Sequence, residues 1–207
     1  MAGGRAETIV PGGGCPTVDG MRNFSAGPAA FAAVLLLAPA PAHAAVAAPC
    51  IAKSGSDATE TREDSSVDDG EIRWTASTKY KAEYAHANRA WSYPGARIRI
   101  APDAATTVND LNYEDFSDPR SSAAGVWSRR PGPAATDLVR FNKARMDTYD
   151  PATRRMVAAH ELGHALGLCH KSGSGKNAVS SVMWPDAAQY PDAPTDVDKA
   201  NLKKLWG

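Results

Sequence analysis

The sequence predicts an α+β domain. Two patterns predict this class: short segments in which apolar and polar residues alternate, as in half-buried strands, and longer segments in which apolar residues recur every three or four positions, as in helices. The chain has 207 residues, of which 43% are hydrophobic and 22% charged, a composition typical of a globular protein with one well-packed core. Lysine plus arginine and aspartate plus glutamate are balanced at 23 each, so the net charge does not favour a nucleic-acid partner.

Residues 1–44 are predicted to be a leader and a secretory signal peptide. Residues 21–44 have a basic start at Arg22, an apolar run ending in FAAVLLLA, and the small-residue cleavage site AHA. The alternative is a disordered Ala/Pro tail. Residues 1–20 are rich in glycine and precede a second methionine, which indicates an over-long start. Because no window approaches ~20 apolar residues, we expect a secreted protein without stable membrane insertion.

Residues 45–70 are predicted to be a disordered propeptide or linker. They are polar, acidic and poor in large apolar residues, so they cannot bury enough surface to order themselves. Cleavage after Ala44 would leave Cys50 and Cys169 in the mature chain, and the oxidising compartment favours a disulfide between them. Two alternatives stay open: Cys50 as a thiolate that blocks a metal until the segment is removed, and two unpaired thiols.

The ordered domain is predicted to begin at residue 71 with a strand and an amphipathic helix. Ile72 and Trp74 alternate with polar or charged neighbours in EIRWTAS, as in a half-buried strand. In TKYKAEYAHANRAW, His86 lies off the apolar face and is expected at the surface. The residues of that face are spaced four, three and four apart and are expected in the core: Tyr80, Tyr84, Ala87 and Trp91.

Three further segments are predicted to be strands. ARIRIAP places Ile98 and Ile100 on one face, and DLVRFN does the same with Val139 and Phe141. Between them, AAGVWSRRPGP offers a short strand that ends at its prolines. The acidic segment NYEDFSDPR could offer carboxylates to calcium, but such loops are usually solvated, so calcium is possible and no site is assigned.

Two helices are predicted towards the end of the sequence. In DPATRRMVAAHELGHALGL, Asp150 can cap a helix that has Pro151 in its first turn, and no helix breaker follows before Gly167. In TDVDKANLKKLW, Thr195 and Asp198 have the spacing of a capping box.

The first of these helices carries HELGHALGLCH, which holds three of the chain's five histidines. His160 and His164 are four residues apart, so their imidazoles leave the same helix face and can share one metal ion. His170 can turn back to that ion if the helix stops at Gly167, because glycine reaches the positive-φ backbone that this needs. Glu161 projects beside these ligands. Three nitrogen ligands with one open position are typical of catalytic zinc.

The string VAAHELGHALGLCH resembles the zinc motif of the metzincin endopeptidases and is most similar to that of the matrixins. SVMWP, whose Met183 lies thirteen residues after His170, resembles their Met-turn, which implies that this methionine packs beneath the zinc. The resemblance implies a small zinc metalloprotease catalytic domain over residues 71–207. In it, a twisted mixed sheet packs on the active-site helix, a C-terminal helix follows the Met-turn, and one catalytic Zn²⁺ is held by His160, His164 and His170.

The resemblance is incomplete. Matrixins hold a second, structural zinc through histidines ahead of the active-site helix, and no histidine lies between His86 and His160, so we expect that zinc to be missing. The sequence around Cys50 does not match the cysteine-switch motif of the matrixins. Small secreted bacterial snapalysins are similar in size and in their final helix, but their motif ends in Asp, whereas this one ends in His170.

These residues predict a secreted zinc endopeptidase. Zinc would activate a water and polarise the scissile carbonyl, while Glu161 takes the proton of the water and returns it to the leaving amine. An extended peptide is expected along an edge strand at residues 125–129. Val182, Trp184 and Tyr190 either line a side-chain pocket or are core and loop residues. We expect a monomer acting on protein or peptide substrates. The alternatives are a zinc-dependent aminopeptidase or amidase, and a zinc-containing binding module without turnover.

Overall fold

The computed structural model describes residues 46–51, 58–132, 135–186 and 191–207, which form five strands and four α-helices. The strands are β1 Glu71–Ala76, β2 Arg99–Pro102, β3 Leu111–Phe116, β4 Gly125–Ser128 and β5 Asp137–Asn142. The helices are α1 Lys81–Trp91, α2 Lys143–Met146, α3 Pro151–Ala165 and α4 Asp196–Trp206, and a 3₁₀ turn spans Gly175–Asn177. The predicted α+β class is confirmed.

The strands form one mixed sheet in the order β2-β1-β3-β5-β4. The first four of these are parallel to their neighbours, and β4 pairs antiparallel with β5, leaving β4 at the edge. Both faces of β5 are covered, since Leu138 on one face is buried as well as Val139 and Phe141 on the other. The predicted edge strand thus lies where a peptide could pair with it.

The third strand was not predicted. Leu111 and Tyr113 are fully buried between β1 and β5, while the segment's acidic residues suggested only a loop. Asp115 accepts hydrogen bonds from the hydroxyl of Thr78 and the amide of Lys79, so this carboxylate ties the end of the strand to the start of α1. The pattern of LNYEDF was misleading because its three polar or acidic residues outnumber Leu111 and Tyr113, the two that are fully buried.

The predicted aromatic face of α1 packs in the core. Tyr80, Ala87 and Trp91 are buried, and Tyr84 stacks on Tyr113 with ring centroids 5.1 Å apart. The indole of Trp91 donates a hydrogen bond of 2.8 Å to the carbonyl of Ala159, which fixes α1 against α3. His86, expected at the surface, is partly buried instead, because its Nε2 lies 2.7 Å from the carbonyl oxygen of Asp192.

The described part of residues 45–70 contacts the domain, although the sequence predicts a disordered segment. Cys50 is joined to Cys169 by a disulfide, with an S–S distance of 2.08 Å, which confirms that pairing over a latency thiolate or two unpaired thiols. The amides of Thr61 and Ser66 donate to the carbonyls of Gly167 and Ala165 at 3.2 and 2.7 Å. Covalent and polar contacts therefore order residues that have little apolar surface of their own. The division at residues 70 and 71 stays a prediction.

The predicted signal peptide, residues 21–44, lies outside the described residues. Among the residues that are described, no helix is both long enough and apolar enough to cross a membrane.

Candidate metal centre

Helix α3 begins as the sequence predicts. The Asp150 carboxylate accepts hydrogen bonds from the amides of Ala152 and Thr153, and Pro151 occupies the first turn. These contacts satisfy amides that have no partner within the helix. The cap fixes the start of the helix, and its buried last turns carry His160, Glu161 and His164.

The helix ends at Ala165, and the chain turns at Gly167, where φ is +88°. The amide of Gly167 donates to His164 O at 2.8 Å and the amide of Leu168 donates to Gly163 O at 3.0 Å. This pair of bonds is the Schellman arrangement, which requires the left-handed backbone that glycine adopts readily. A side chain at Gly167 would also overlap the carbonyl of Thr61. The chain therefore reverses here and brings His170 back towards the helix.

The three histidine side chains converge. Their Nε2 atoms lie 3.1 Å from one another in all three pairs. His160 and His164 are only 8% and 9% exposed, and His170 is partly buried. In the described part of the chain, these residues form the group suited to hold a metal ion.

Backbone carbonyls determine which ring nitrogens face the centre. Nδ1 of His160 lies 2.9 Å from Val182 O, and Nδ1 of His164 lies 2.9 Å from Leu168 O. Since a carbonyl only accepts, both Nδ1 atoms carry the proton and both Nε2 atoms present a lone pair. Burial, followed by the nearby charge of His170, lowers the pKa of His164 to about 4. The ring is therefore neutral at pH 7, the state that binds a metal.

The geometry fits a tetrahedral zinc ion. Zinc–nitrogen bonds are about 2.0–2.1 Å long, so neighbouring ligand nitrogens in a tetrahedron lie roughly 3.3 Å apart. The observed separation of 3.1 Å is close to this value. Three nitrogen donors leave one coordination position of a tetrahedral ion to a water or a substrate. Without a cation between them, the converging lone pairs would repel one another.

Glu161 lies beside the histidines, and this residue is only 6% exposed. Oε2 accepts a hydrogen bond of 2.6 Å from the backbone amide of Trp127 in β4. Glu161, the three histidines and the edge strand line one cavity of about 690 Å³. The acid and the possible metal ligands thus face a cleft that a peptide could enter along β4.

The segment that was predicted to be a Met-turn, residues 181–185, packs against the helix through Met183. Met183 is fully buried, and a side chain at Gly163 would overlap its sulfur and crowd Trp91. Glycine between His160 and His164 therefore lets Met183 pack directly against α3. Its neighbour Val182 is also fully buried and belongs to the core.

Of the residues predicted near a side-chain pocket, Trp184 lines the cavity. Its ring packs over Gly173, where a side chain would overlap it. Val182 is core, and Tyr190 lies outside the described residues.

Two supporting groups were missed. Asp198 was predicted only as part of a capping box, which is confirmed, but its carboxylate also accepts from the hydroxyl of Ser181 and the amide of Val182. Lys171 is fully buried and pairs with Glu60 at 2.6 Å. The sequence shows a lysine directly after the third histidine, but not that it is buried, and its partner lies 111 residues away.

The chain is similar to proteins of known sequence and structure. No family model matches the chain. It is similar to the extracellular small neutral protease of Streptomyces sp. (strain C5), with 26% identity over 133 residues, or 64% of this chain. The matched region spans about half of that relative, 53% of its length. Among solved structures, it is similar to a chain of the GM1 bound form of the ECX AB5 holotoxin, with a TM-score of 0.43 and 15% identity over 65% of this chain and 78% of the other.

Proposed function

We propose that the protein is a secreted zinc endopeptidase of the metzincin type, similar to the matrixins, which hydrolyses internal peptide bonds. The observation that carries this proposal is the convergence of three imidazole nitrogens, 3.1 Å apart, beside a buried carboxylate in one cleft. The relative named as an extracellular neutral protease supports the same activity and an extracellular location.

His160, His164 and His170 are the proposed ligands of one catalytic zinc ion. When bound, zinc supplies Lewis acidity, which lowers the pKa of a water towards neutrality and polarises a peptide carbonyl. The carbonyls of Val182 and Leu168 hold the first two rings in the tautomer that this requires. The buried Met183 supports the helix segment between them.

Glu161 is the proposed general base. Its carboxylate takes a proton from the attacking water and later delivers that proton to the leaving amine, so one group serves both steps. The amide of Trp127 holds one of its oxygens in place beside the cleft. A peptide would lie extended beside the edge strand β4, forming main-chain hydrogen bonds with residues 125–129.

Metal analysis combined with peptide digestion tests the proposal. Protein purified after export should contain one zinc per chain and cleave an end-blocked peptide at internal bonds, with activity lost to a chelator and restored by zinc. Cleavage of free N-termini alone would instead indicate an aminopeptidase. Zinc binding without any cleavage would indicate a binding module, and absence of bound zinc would overturn the metal site.

The variant Glu161→Gln separates the base from the metal. It should retain one zinc per chain and lower kcat by roughly a hundredfold or more, because proton transfer by a positioned side chain contributes about 10²–10⁴-fold. The matched control is Glu114→Gln, which changes a partly exposed residue of β3 and should leave kcat unchanged. Unchanged cleavage by Glu161→Gln would refute the assigned base.

A further inference from the structure

Gly125, the first residue of β4, lies against the carboxylate of Glu161. A Cβ atom placed on Gly125 would come within 2.6 Å of Cγ, 2.7 Å of Oε1 and 2.9 Å of Cδ of that side chain. Real Cβ contacts do not reach such distances, so any larger residue here would displace the carboxylate. The φ angle of Gly125 is not positive, so the backbone itself would accept alanine. Space, not backbone freedom, therefore makes glycine important at this position.

The second contact of the carboxylate comes from the same strand. The amide of Trp127 donates to Oε2 at 2.6 Å. This amide is well anchored, because the Trp127 indole donates to the hydroxyl of Ser66 at 3.0 Å and that hydroxyl donates to Asp137 at 2.7 Å. The strand thus presents a fixed donor and, two residues earlier, an open space for the rest of the side chain.

We propose that Gly125 is a positioning residue: together with the Trp127 amide it forms a seat that sets the orientation of the Glu161 carboxylate. The inference rests on the proposed function, in which Glu161 moves the proton of the attacking water. In this role the missing side chain of Gly125 acts through Glu161, while the backbone groups that a peptide would contact are the same in glycine and alanine. The seat consists of the space at Gly125 and the hydrogen bond from Trp127.

The histidines are held independently of this seat. Val182 O and Leu168 O, which fix the rings of His160 and His164, lie outside β4. A methyl group at position 125 is therefore expected to move the carboxylate away from the Trp127 amide and to leave the zinc ligands in place. Such a variant should therefore keep its zinc content while transferring the proton more slowly.

The first test is kinetic. Gly125→Ala should keep one zinc per chain and a KM within about twofold, while kcat for an end-blocked peptide falls by roughly tenfold to a hundredfold, since a 1 Å misplacement of a catalytic group can cost about 10². A Gly125→Ala variant with one zinc per chain and an unchanged kcat would overturn the proposal that Gly125 positions the Glu161 carboxylate. If the unaltered protein cleaves no blocked peptide, the proposed function fails instead, and the next test still examines the contact.

The second test does not require activity. Urea unfolding midpoints of the unaltered chain, Gly125→Ala, Glu161→Ala and the double variant form a cycle. Gly125→Ala should lower the midpoint when Glu161 is present. It should leave the midpoint unchanged or raise it in the Glu161→Ala background, where the space is vacant and alanine suits a strand better than glycine. Equal shifts in both backgrounds would show that Gly125 and the carboxylate do not interact, and would overturn the proposal.

A third variant covers the case in which Gly125→Ala does not fold. Glu161→Asp withdraws the carboxylate by one methylene from both parts of the seat, so it should keep its zinc and lose kcat. The double variant Glu161→Asp/Gly125→Ala should therefore fold even where Gly125→Ala alone does not. Its kcat should be little lower than that of Glu161→Asp. A double variant that remains unfolded would contradict the proposed contact.

Discussion

At the scale of the residue, the geometry of the candidate centre depends on glycines that leave space for larger neighbouring side chains. Gly163 is small because Met183 and Trp91 occupy the space that a side chain would need. Gly125 is small because Glu161 does. The histidine tautomers are likewise determined by single carbonyl oxygens, those of Val182 and Leu168.

Gly163→Ala should destabilise the protein, although alanine normally stabilises a helix by about 0.5–1 kcal/mol relative to glycine. The added methyl group must displace Met183 within a filled core, and such overpacking costs roughly 1–3 kcal/mol. Urea unfolding measures the change. In the Met183→Ala background, where the space is free, the same substitution should no longer destabilise; a stabilised single variant would show that the packing at Gly163 is loose.

His170→Ala should lower the affinity for zinc by at least about a hundredfold, since losing even an outer-shell partner typically costs 10–100-fold. Titration with a competing chelator measures the affinity. The matched control is His86→Ala, which removes a partly buried histidine that lies near Asp192 and not near the other three. Equal affinities for the two variants would exclude His170 as a ligand.

At the scale of the element, helix α4 holds the segment around Met183 in place. Asp198 accepts from Ser181, Val182 and Thr195 and is fully buried. Val182 in turn presents its carbonyl to the Nδ1 of His160. Helix α4 therefore contacts the proposed metal centre through a single buried carboxylate and one peptide unit.

Asp198→Ala should lower the free energy of unfolding by roughly 2–3 kcal/mol, because it leaves buried donors without an acceptor. It should also weaken zinc binding by about tenfold to a hundredfold through the loss of order at Val182. Asp196→Ala is the matched control, since that side chain lies in the same helical turn but is 84% exposed. If both variants retain the zinc affinity of the unaltered protein, α4 does not support the centre.

At the scale of the whole molecule, the segment before β1 braces the turn that carries the third histidine. The disulfide joins Cys50 to Cys169, the residue before His170, across a sequence separation of 119. Glu60 pairs with the buried Lys171, the residue after His170. Contacts from one distant segment thus flank His170 on both sides.

Replacing both cysteines by alanine should destabilise the protein by about 2–4 kcal/mol, the usual contribution of a disulfide. It should also weaken zinc binding, because Cys169 adjoins His170. Chemical unfolding and chelator titration measure the two effects. Reduction of the unaltered protein by a phosphine should reproduce them, whereas a thiol reductant would itself bind zinc. An unaltered zinc affinity after either treatment would show that the disulfide does not help to position His170.

Much of the site could be predicted because its geometry is local. The cap at Asp150, the spacing of His160 and His164 and the turn at Gly167 depend on hydrogen bonds between residues a few positions apart. The strand β3 was missed because its pattern is mostly polar, and its burial comes from the two strands beside it.

The sequence by itself determined the three histidines, their carboxylate neighbour and the helix and glycine turn that present them, because helical periodicity and backbone preference act over a few residues. Only the tertiary structure decided that Cys50 pairs with Cys169, that β3 lies inside the sheet, and that Glu161 lies between Gly125 and the Trp127 amide. Those contacts join residues far apart in the chain, so their formation depends on how the whole core packs.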